Sequence, residues 1–380
     1  MKIYVNRSCM VMHISVMGEF DATEDLKEFF EYLDENDNSE THITFLDANI
    51  VPDEVVDKLF TFQKSKKCRI YVLKTYLYSY FYSLGIKCLY VKKKSIQQSS
   101  YKSQGKPVGE CVDHKQVLGF LNDINEKYGY DYTQYQIESI IRRIKITMLR
   151  YGADNFDEFK REVLEDQDMF EQLFLDFSIN TTEFFRDAEV YAALRQKIFP
   201  YLNSYTHFKI WCVGCSNGKE PYSVAIILNE LGLLDKVRIY ATDINPYVIE
   251  EAKNGLYALD TIAVDTKGYK EAGGVKNFND YFEIEDKYIK VKSFLKERIL
   301  FFQHSLVEPG ILNEFQLILC RNVMIYFDTA LQKKVLEHFY NSLDISGFLV
   351  LGKSEGMLQN EGYRFFDKYD ENKKVYRKKP

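Results

Sequence analysis

The chain has 380 residues, more than one hydrophobic core usually serves, so two or three domains are expected. Apolar residues make up 46% and charged residues 28%, the balance of a folded globular protein rather than a disordered one. A net charge of −6 argues against a general nucleic-acid binder, and no apolar run approaches the ~18 residues of a membrane span, so neither a nucleic-acid partner nor membrane insertion is expected. The opening stretch MKIYVNRSCMVMHISVMGEF is interrupted by Asn6, Arg7, Ser8 and His13 and lacks the apolar core of a signal peptide. Seven scattered cysteines, an odd number, fit free thiols in a reducing cytoplasm.

Up to residue 95, short β-like runs alternate with amphipathic helical ones. MVMHISV (10–16), THITFLD (41–47), RIYVL (69–73) and CLYV (88–91) read as strands. DATEDLKEFFEYLDE reads as a helix, with Leu26, Phe29, Phe30 and Leu33 on one face and Asp21 or Thr23 as N-cap. VPDEVVDKLFTFQ and TYLYSYFYSL read as two more, so residues 1–95 are expected to form an α/β domain of about five strands. This order resembles the STAS domain of anti-sigma-factor antagonists, down to Asp47 closing the third strand. That family's phosphorylatable serine has no counterpart in NIVPDEVV, so the resemblance implies a docking module for a signalling partner rather than a phosphorylation switch. KKKSIQQSSYKSQGK (92–106) carries five lysines, four serines and no acid, which is linker composition, and 96–110 is assigned as the linker.

Residues 111–187 carry a helical pattern with no strand signal and predict a small all-α domain. In YTQYQIESIIRRIKITMLRYG the stripe Ile137, Ile140, Ile141, Ile144 and Met148 is the expected buried face, with Arg142, Arg143, Lys145 and Arg150 mostly off it. From 188 to 380, FKIWCV, VRIYAT, RILFF, QLILC, GFLVLG and KVYRKK read as strands, with PYSVAIILNELG, NPYVIEEAKNG and ALQKKVLEHFYNSL as helices between them. That alternation predicts a doubly wound, Rossmann-like sheet.

The loop after its first strand, in IWCVGCSNGKEPYSV, poses a choice between a Cys212/Cys215 pair and a ligand turn built on Gly214 and Gly218. A redox pair belongs at a helix N-terminus, whereas Cys212 is still in the strand and six residues separate Cys215 from the rest of the helix that Pro221 opens. No second cysteine pair with ligand spacing follows, so no metal is expected. The glycine reading accounts for more residues: the glycines allow a sharp turn, the helix offers free N–H groups, and Asp243 ends the next strand where a ribose-binding acid commonly stands. The loop is not G-x-G-x-x-G, which favours S-adenosylmethionine over NAD without excluding the latter.

SINTTEFFRD (178–187), GCSNGKEPYS, ATDIN, ILCRNVMIYFD (318–328) and GFLVLGKSEGM (347–357) together closely resemble the chemotaxis-receptor glutamate O-methyltransferase family (CheR), over roughly 115–380. The resemblance implies a class I S-adenosylmethionine methyltransferase domain over 188–380, with a small β-subdomain inserted around 258–296, preceded by the all-α domain. It implies that Asn180, Thr182 and Arg186 contact the cofactor, that Gly214, Gly218 and Glu220 form its loop, and that Asp243 takes the ribose. Arg321 and Asn322 would lie over the adenosine, Ser305 and Leu306 stand where the family often has an Asn-Leu pair, and Tyr326 lies near the reacting methyl. Arg186 and Tyr326 are thereby the expected catalytic positioning groups, and S-adenosylhomocysteine the product. The basic residues Arg142, Arg143 and Lys145 would dock acidic helical segments of a methyl-accepting receptor. Lys219 and Ser305 depart from the family pattern, which leaves a cofactor-binding scaffold without turnover as the alternative.

Overall fold

The computed structural model describes residues 2–7, 11–17, 23–34, 40–45, 51–65, 68–72, 77, 81, 86, 88–90, 112–151, 153, 155–177, 182–285, 288–307, 314–357 and 362–380. The linker assigned to 96–110, Asp47, Asn180 and most of the helix read in TYLYSYFYSL lie outside the described residues. The chain divides into two compact units, residues 1–112 with 144–176, and residues 113–143 with 177–380.

In the first unit, β1 (Lys2–Arg7), β2 (Val11–Met17), β3 (Glu40–Phe45), β4 (Cys68–Val72) and β5 (Cys88–Tyr90) form one sheet in chain order. Its first pair is antiparallel and the other three are parallel. Met12, Ile14 and Val16, then Thr41, Ile43 and Phe45, then Ile70 and Val72 are buried, so alternate residues share one covered face. Helix α1 (Thr23–Asp34) buries Phe29 and Leu33, with the Phe29 ring 6.3 Å from that of Phe45. Helix α2 (Asp53–Ser65) buries Val55, Val56, Leu59 and Phe62, and its Lys58 meets Asp34 of α1 at 2.6 Å.

Four helices follow: α3 (His114–Tyr128), α4 (Ile137–Tyr151), α5 (Phe156–Glu165) and α6 (Gln167–Phe177). Gly129, at φ 78°, ends α3 in the left-handed conformation that a residue without a Cβ adopts at little cost. In α4 the expected stripe is buried at Ile140, Ile141, Ile144 and Met148, and Arg142 and Lys145 are exposed. The division between the two units runs through α4.

The second unit is built on a seven-stranded sheet in the order β11 (Ile299–Gln303), β7 (Val237–Asp243), β6 (Phe208–Val213), β12 (Phe315–Cys320), β13 (Leu343–Leu351), β15 (Val375–Lys378), β14 (Phe366–Asp370). After a helical segment over 188–202, comprising α7 (Ala188–Ala193), a wide turn and α8 (Phe199–Leu202), come β6 (Phe208–Val213), α9 (Lys219–Glu230), β7 (Val237–Asp243) and α10 (Pro246–Asn254). An insert follows, in which β8 (Leu256–Ala258), β9 (Phe282–Glu285) and β10 (Tyr288–Val291) form a separate antiparallel sheet beside α11 (Ile262–Glu271) and the short α12 (Ser293–Lys296). β11 (Ile299–Gln303), β12 (Phe315–Cys320), α13 (Thr329–Ser342), β13 (Leu343–Leu351), β14 (Phe366–Asp370) and β15 (Val375–Lys378) complete the large sheet. β12 is buried at every position, and β6 at all but one, which is why both read as near-continuous apolar runs. β14, FDKYD, carries no such signal because only Phe366 is buried, and its place is set by the antiparallel hairpin with β15. Among the described residues no helix is long and apolar enough to cross a membrane.

One tie between the insert and α9 is a buried carboxylate. Glu230, the last residue of α9, accepts from the hydroxyls of Tyr269 and Tyr281 (the latter at 2.8 Å), from the Val275 N–H at 3.3 Å and from Arg195. Burial alone would raise its carboxyl, but the bonds from Tyr269, Arg195 and Tyr281 outweigh it and hold Glu230 below its ordinary value. A depressed carboxyl stabilises the fold above its unfolded pKa of about 4.3 and loses that contribution as pH falls through the folded one. Glu230→Gln should therefore lower the unfolding free energy at neutral pH by ~1–3 kcal/mol and flatten the loss of stability below about pH 4.3, read by denaturant titration across pH.

Candidate active site

The strand order reverses between β6 and β12, and in an open α/β sheet a ligand crevice forms at the carboxyl ends of the strands at such a point. A cleft opens there. Gly214, Cys215 and Ser216 enter it from the end of β6, and Arg321, Asn322, Ile325 and Tyr326 from the end of β12. Thr182, Glu183 and Arg186 of the segment before α7, Tyr191 of α7 and Glu220 of α9 complete a lining around about 570 Å³ of open space.

One cation ties these walls together. Arg321 is only 6% exposed and donates through Nη1 to Glu220 at 3.0 Å and to the Tyr191 hydroxyl at 3.3 Å. Through Nη2 it donates to the Arg186 carbonyl at 2.6 Å and to Asp187 at 2.7 Å. Burial disfavours its charge, but Tyr191, Glu220 and Asp187 more than compensate and hold the guanidinium pKa above its ordinary value. The same pairing works on Glu220, whose carboxyl is raised by burial and drawn back by Arg321. Phe185 and Asp187, on either side of Arg186, both have φ 56°, a costly conformation for residues with a side chain. Their turn is held at each step, by Asp265 accepting the Phe184 N–H at 3.1 Å, by Ser223 accepting the Phe185 N–H at 3.0 Å, and by Arg321.

A carboxylate organises the opposite wall. Glu355, 7% exposed, accepts four backbone N–H groups: Asn322 at 2.9 Å, Val323 at 2.9 Å, Met324 at 2.7 Å and Gly352 at 2.6 Å. It thereby fixes the turn at 321–324, in which Asn322 has φ 61°. Gly352 makes room for it, since a Cβ there would lie 2.6 Å from the Glu355 carboxylate and 2.7 Å from the Asn322 nitrogen. Beyond that turn, the Tyr326 carbonyl accepts the Gln136 N–H at 2.9 Å, and the Arg143 guanidinium lies 5.3 Å from the centre of the Tyr326 ring.

The loop after β6 differs in detail from its sequence reading. Gly214 (φ 65°) is needed because a Cβ would meet Val323 at 2.3 Å, and Gly218 (φ 92°) because one would meet Ala252 of α10 at 2.9 Å. Both close approaches are to protein, and only Gly214 also lines the cleft. Asp243 accepts the Ser216 N–H at 2.9 Å and the Asn245 N–H at 3.0 Å; Ser216 lines the cleft, while Asp243 does not. Burial raises the Asp243 carboxyl, against those backbone bonds. Cys212 and Cys215 are free and buried, and burial pushes both thiols well up, the opposite of a redox or metal-binding pair. Among the described residues no cluster of His, Cys, Asp and Glu could hold a metal.

Of the expected site residues, Thr182, Arg186, Gly214, Glu220, Arg321, Asn322 and Tyr326 meet at the cleft. Gly218, Asp243, Ser305 and Leu306 do not line it; Ser305 accepts the Val307 N–H at 3.3 Å, and Leu306 packs on the core beside β12. Arg143 departs from the expected exposed basic face. It is 8% exposed, donates to the Phe177 carbonyl and covers Tyr326, because its position on α4 turns toward the second unit's own residues. Sequence reasoning did not single out Glu183, Tyr191, Ser216, Ile325 or Glu355. For Glu355 a signal was present, an acid between small residues just after a wholly apolar strand. Glu355→Ala should strip four N–H groups of their acceptor, lowering stability by ~3 kcal/mol or more in denaturant unfolding and weakening ligand binding to the cleft.

Residues 180–372 match the family described as CheR methyltransferase, SAM binding domain, and residues 118–178 match the one described as CheR methyltransferase, all-alpha domain. A protein of Pseudomonas putida named "Putative methyltransferase Cher3" is 38% identical over 231 residues, covering 61% of this chain and 85% of that one. A "Chemotaxis protein methyltransferase" of Borreliella burgdorferi is 29% identical over 268 residues, covering 67% and 92%. "Chemotaxis protein methyltransferase 1" of Vibrio cholerae is 31% identical over 237 residues, covering 60% and 82%.

Proposed function

The chain belongs to the CheR methyltransferase family, and on that premise we propose that it methylates glutamate carboxylates of chemotaxis receptors with S-adenosylmethionine, as an adaptation enzyme. The observation that carries this reading is convergence: Thr182, Arg186, Glu220, Arg321, Asn322 and Tyr326, dispersed in the chain, line one cleft at the switch point of the sheet.

The residues present suit an adenosyl amino acid. The cleft offers carboxylates at Glu183 and Glu220 for positive groups and guanidinium groups at Arg186 and Arg321 for negative ones. Among the described residues Arg321 Nε is buried without a hydrogen-bond partner. Thr182, Glu220, Arg321 and Asn322 would hold the cofactor, with Ser216 placed by Asp243. When bound, S-adenosylmethionine supplies a methyl group on a sulfonium.

A glutamate side chain with a pKa of about 4.3 is already a carboxylate at neutral pH, so this chain need supply no general base. What it supplies is alignment, which in well-oriented systems lowers a barrier by ~7–11 kcal/mol at most. Arg186 is held on a turn clamped on both sides and presents its guanidinium to orient the acceptor carboxylate. Tyr326 is steadied by the Arg143 face on its ring and by the Gln136 bond to its carbonyl, and its hydroxyl would polarise the methyl region of a bound cofactor. Lys219 gives no support to a non-catalytic scaffold, since its ammonium lies 3.7 Å from Asp265 and it does not line the cleft. The exposed Arg142 and Lys145 on α4 suit an acidic receptor helix. The five-stranded unit at the N-terminus suits a STAS-like module that docks a signalling partner.

Incubation with methyl-labelled S-adenosylmethionine and receptor-bearing membranes should incorporate label that mild base releases as methanol; base-stable label would mean another acceptor. Arg186→Ala should abolish that incorporation while leaving the unfolding curve unchanged, and an active variant would remove Arg186 from the mechanism. Arg142→Glu with Lys145→Glu should raise KM for the receptor by roughly tenfold without altering S-adenosylhomocysteine affinity, and the effect should shrink with added salt.

A further inference from the structure

Lys219 stands where two physical effects oppose it. It is the first residue of α9, where the helix dipole disfavours a cation, and it is only 7% exposed. Its compensation is specific. The ammonium lies 3.7 Å from Asp265, itself 1% exposed, and over the rings of Phe184 and Tyr257, each at 5.4 Å.

Asp265 in turn reaches the turn before α7. It accepts the Phe184 N–H at 3.1 Å through one oxygen and the Thr261 hydroxyl at 2.8 Å through the other. Phe184 opens the clamped turn that carries Arg186 into the cleft. Lys219 touches the next step of the same turn through its backbone, since its carbonyl accepts from Ser223 at 2.7 Å and Ser223 accepts the Phe185 N–H. Neither Lys219 nor Asp265 lines the cleft.

We propose that the Lys219–Asp265 pair is a positioning device: it keeps Asp265 an acceptor for the Phe184 N–H, and so sets how firmly the 182–187 turn grips the adenosyl ligand. The inference rests on reading the cleft as an S-adenosylmethionine site. The charged and titratable groups facing Asp265 are Lys219, Glu183 and Tyr257. Burial raises the Asp265 carboxyl and Lys219 opposes that rise. Without Lys219 the carboxyl moves further up, so a proton reaches Asp265 at higher pH and the charge on the acceptor is lost as pH falls.

Calorimetric titration of the full chain with S-adenosylhomocysteine, from about pH 8 to about pH 5.5, tests this. Lys219→Met should raise Kd about tenfold at neutral pH, with the gap to the parent widening toward acid, because a hydrogen bond to a charged acceptor is weakened. A general structural role would lower the unfolding midpoint and leave the affinity of the folded protein and its pH profile unchanged; that result overturns the proposal. Should Lys219→Met fail to fold, Thr261→Val removes the second support of Asp265 and should shift Kd in the same direction with the same pH trend, and an unchanged Thr261→Val overturns it equally. A parent chain that does not bind S-adenosylhomocysteine overturns the site reading itself, an outcome distinct from a parent that binds and a variant that matches it.

Discussion

The site depends on satisfying a buried guanidinium. Removing a charge from water costs several kcal/mol unless it is paired and hydrogen-bonded, and Arg321 meets that demand with groups drawn from three separate stretches of chain. Glu220 comes from the first turn of α9, Tyr191 from α7, and the Arg186 carbonyl with Asp187 from the turn between the all-α region and the sheet. Glu220, Tyr191 and Arg186 are thereby walls of the cleft. The left-handed backbone at Phe185 and Asp187 persists because the turn has no cheaper way to meet Arg321, Asp265 and Ser223 together.

Glu355 is the complement of this arrangement. A cation at the end of β12 gathers oxygens, and an anion after β13 gathers the backbone N–H groups of the residues that follow that cation. The two follow adjacent parallel strands whose last residues, 317–320 of β12 and 348–351 of β13, are apolar and buried, so these charged groups stand just past the strand ends, where the chain turns. A site built this way is organised before a ligand arrives, which is what a reaction governed by alignment requires.

The centre of the large sheet was legible because β6 and β12 are buried on both faces and read as apolar runs, FKIWCV and QLILC. β14 was not, because an edge strand with one buried residue has no pattern to read. Glu220, Arg321 and Tyr326 were legible from motif, yet the motif could not say that Arg321 acts first on protein. Gly214 and Gly218 were read as a ligand turn; an added Cβ would meet protein at both, Val323 or Ala252, and Gly214 also lines the cleft. Arg143 was read as surface from its charge; a helix position just off the apolar stripe is covered or open according to what packs there, and here it is covered. Lys219, a departure from the family pattern, stood unexplained until Asp265 appeared beside it from a helix of the insert.

The sequence by itself determined the alternation of elements, the apolar strands, the glycine turn and the family of the second half, since periodicity and local motifs are properties of neighbours in the chain. The tertiary structure decided which charges meet: Arg321 with Glu220 and Asp187, Glu355 with the 322–324 amides, and Lys219 with Asp265. Those pairings are long-range, and the desolvation cost that makes each one obligatory exists only once the core has closed around it.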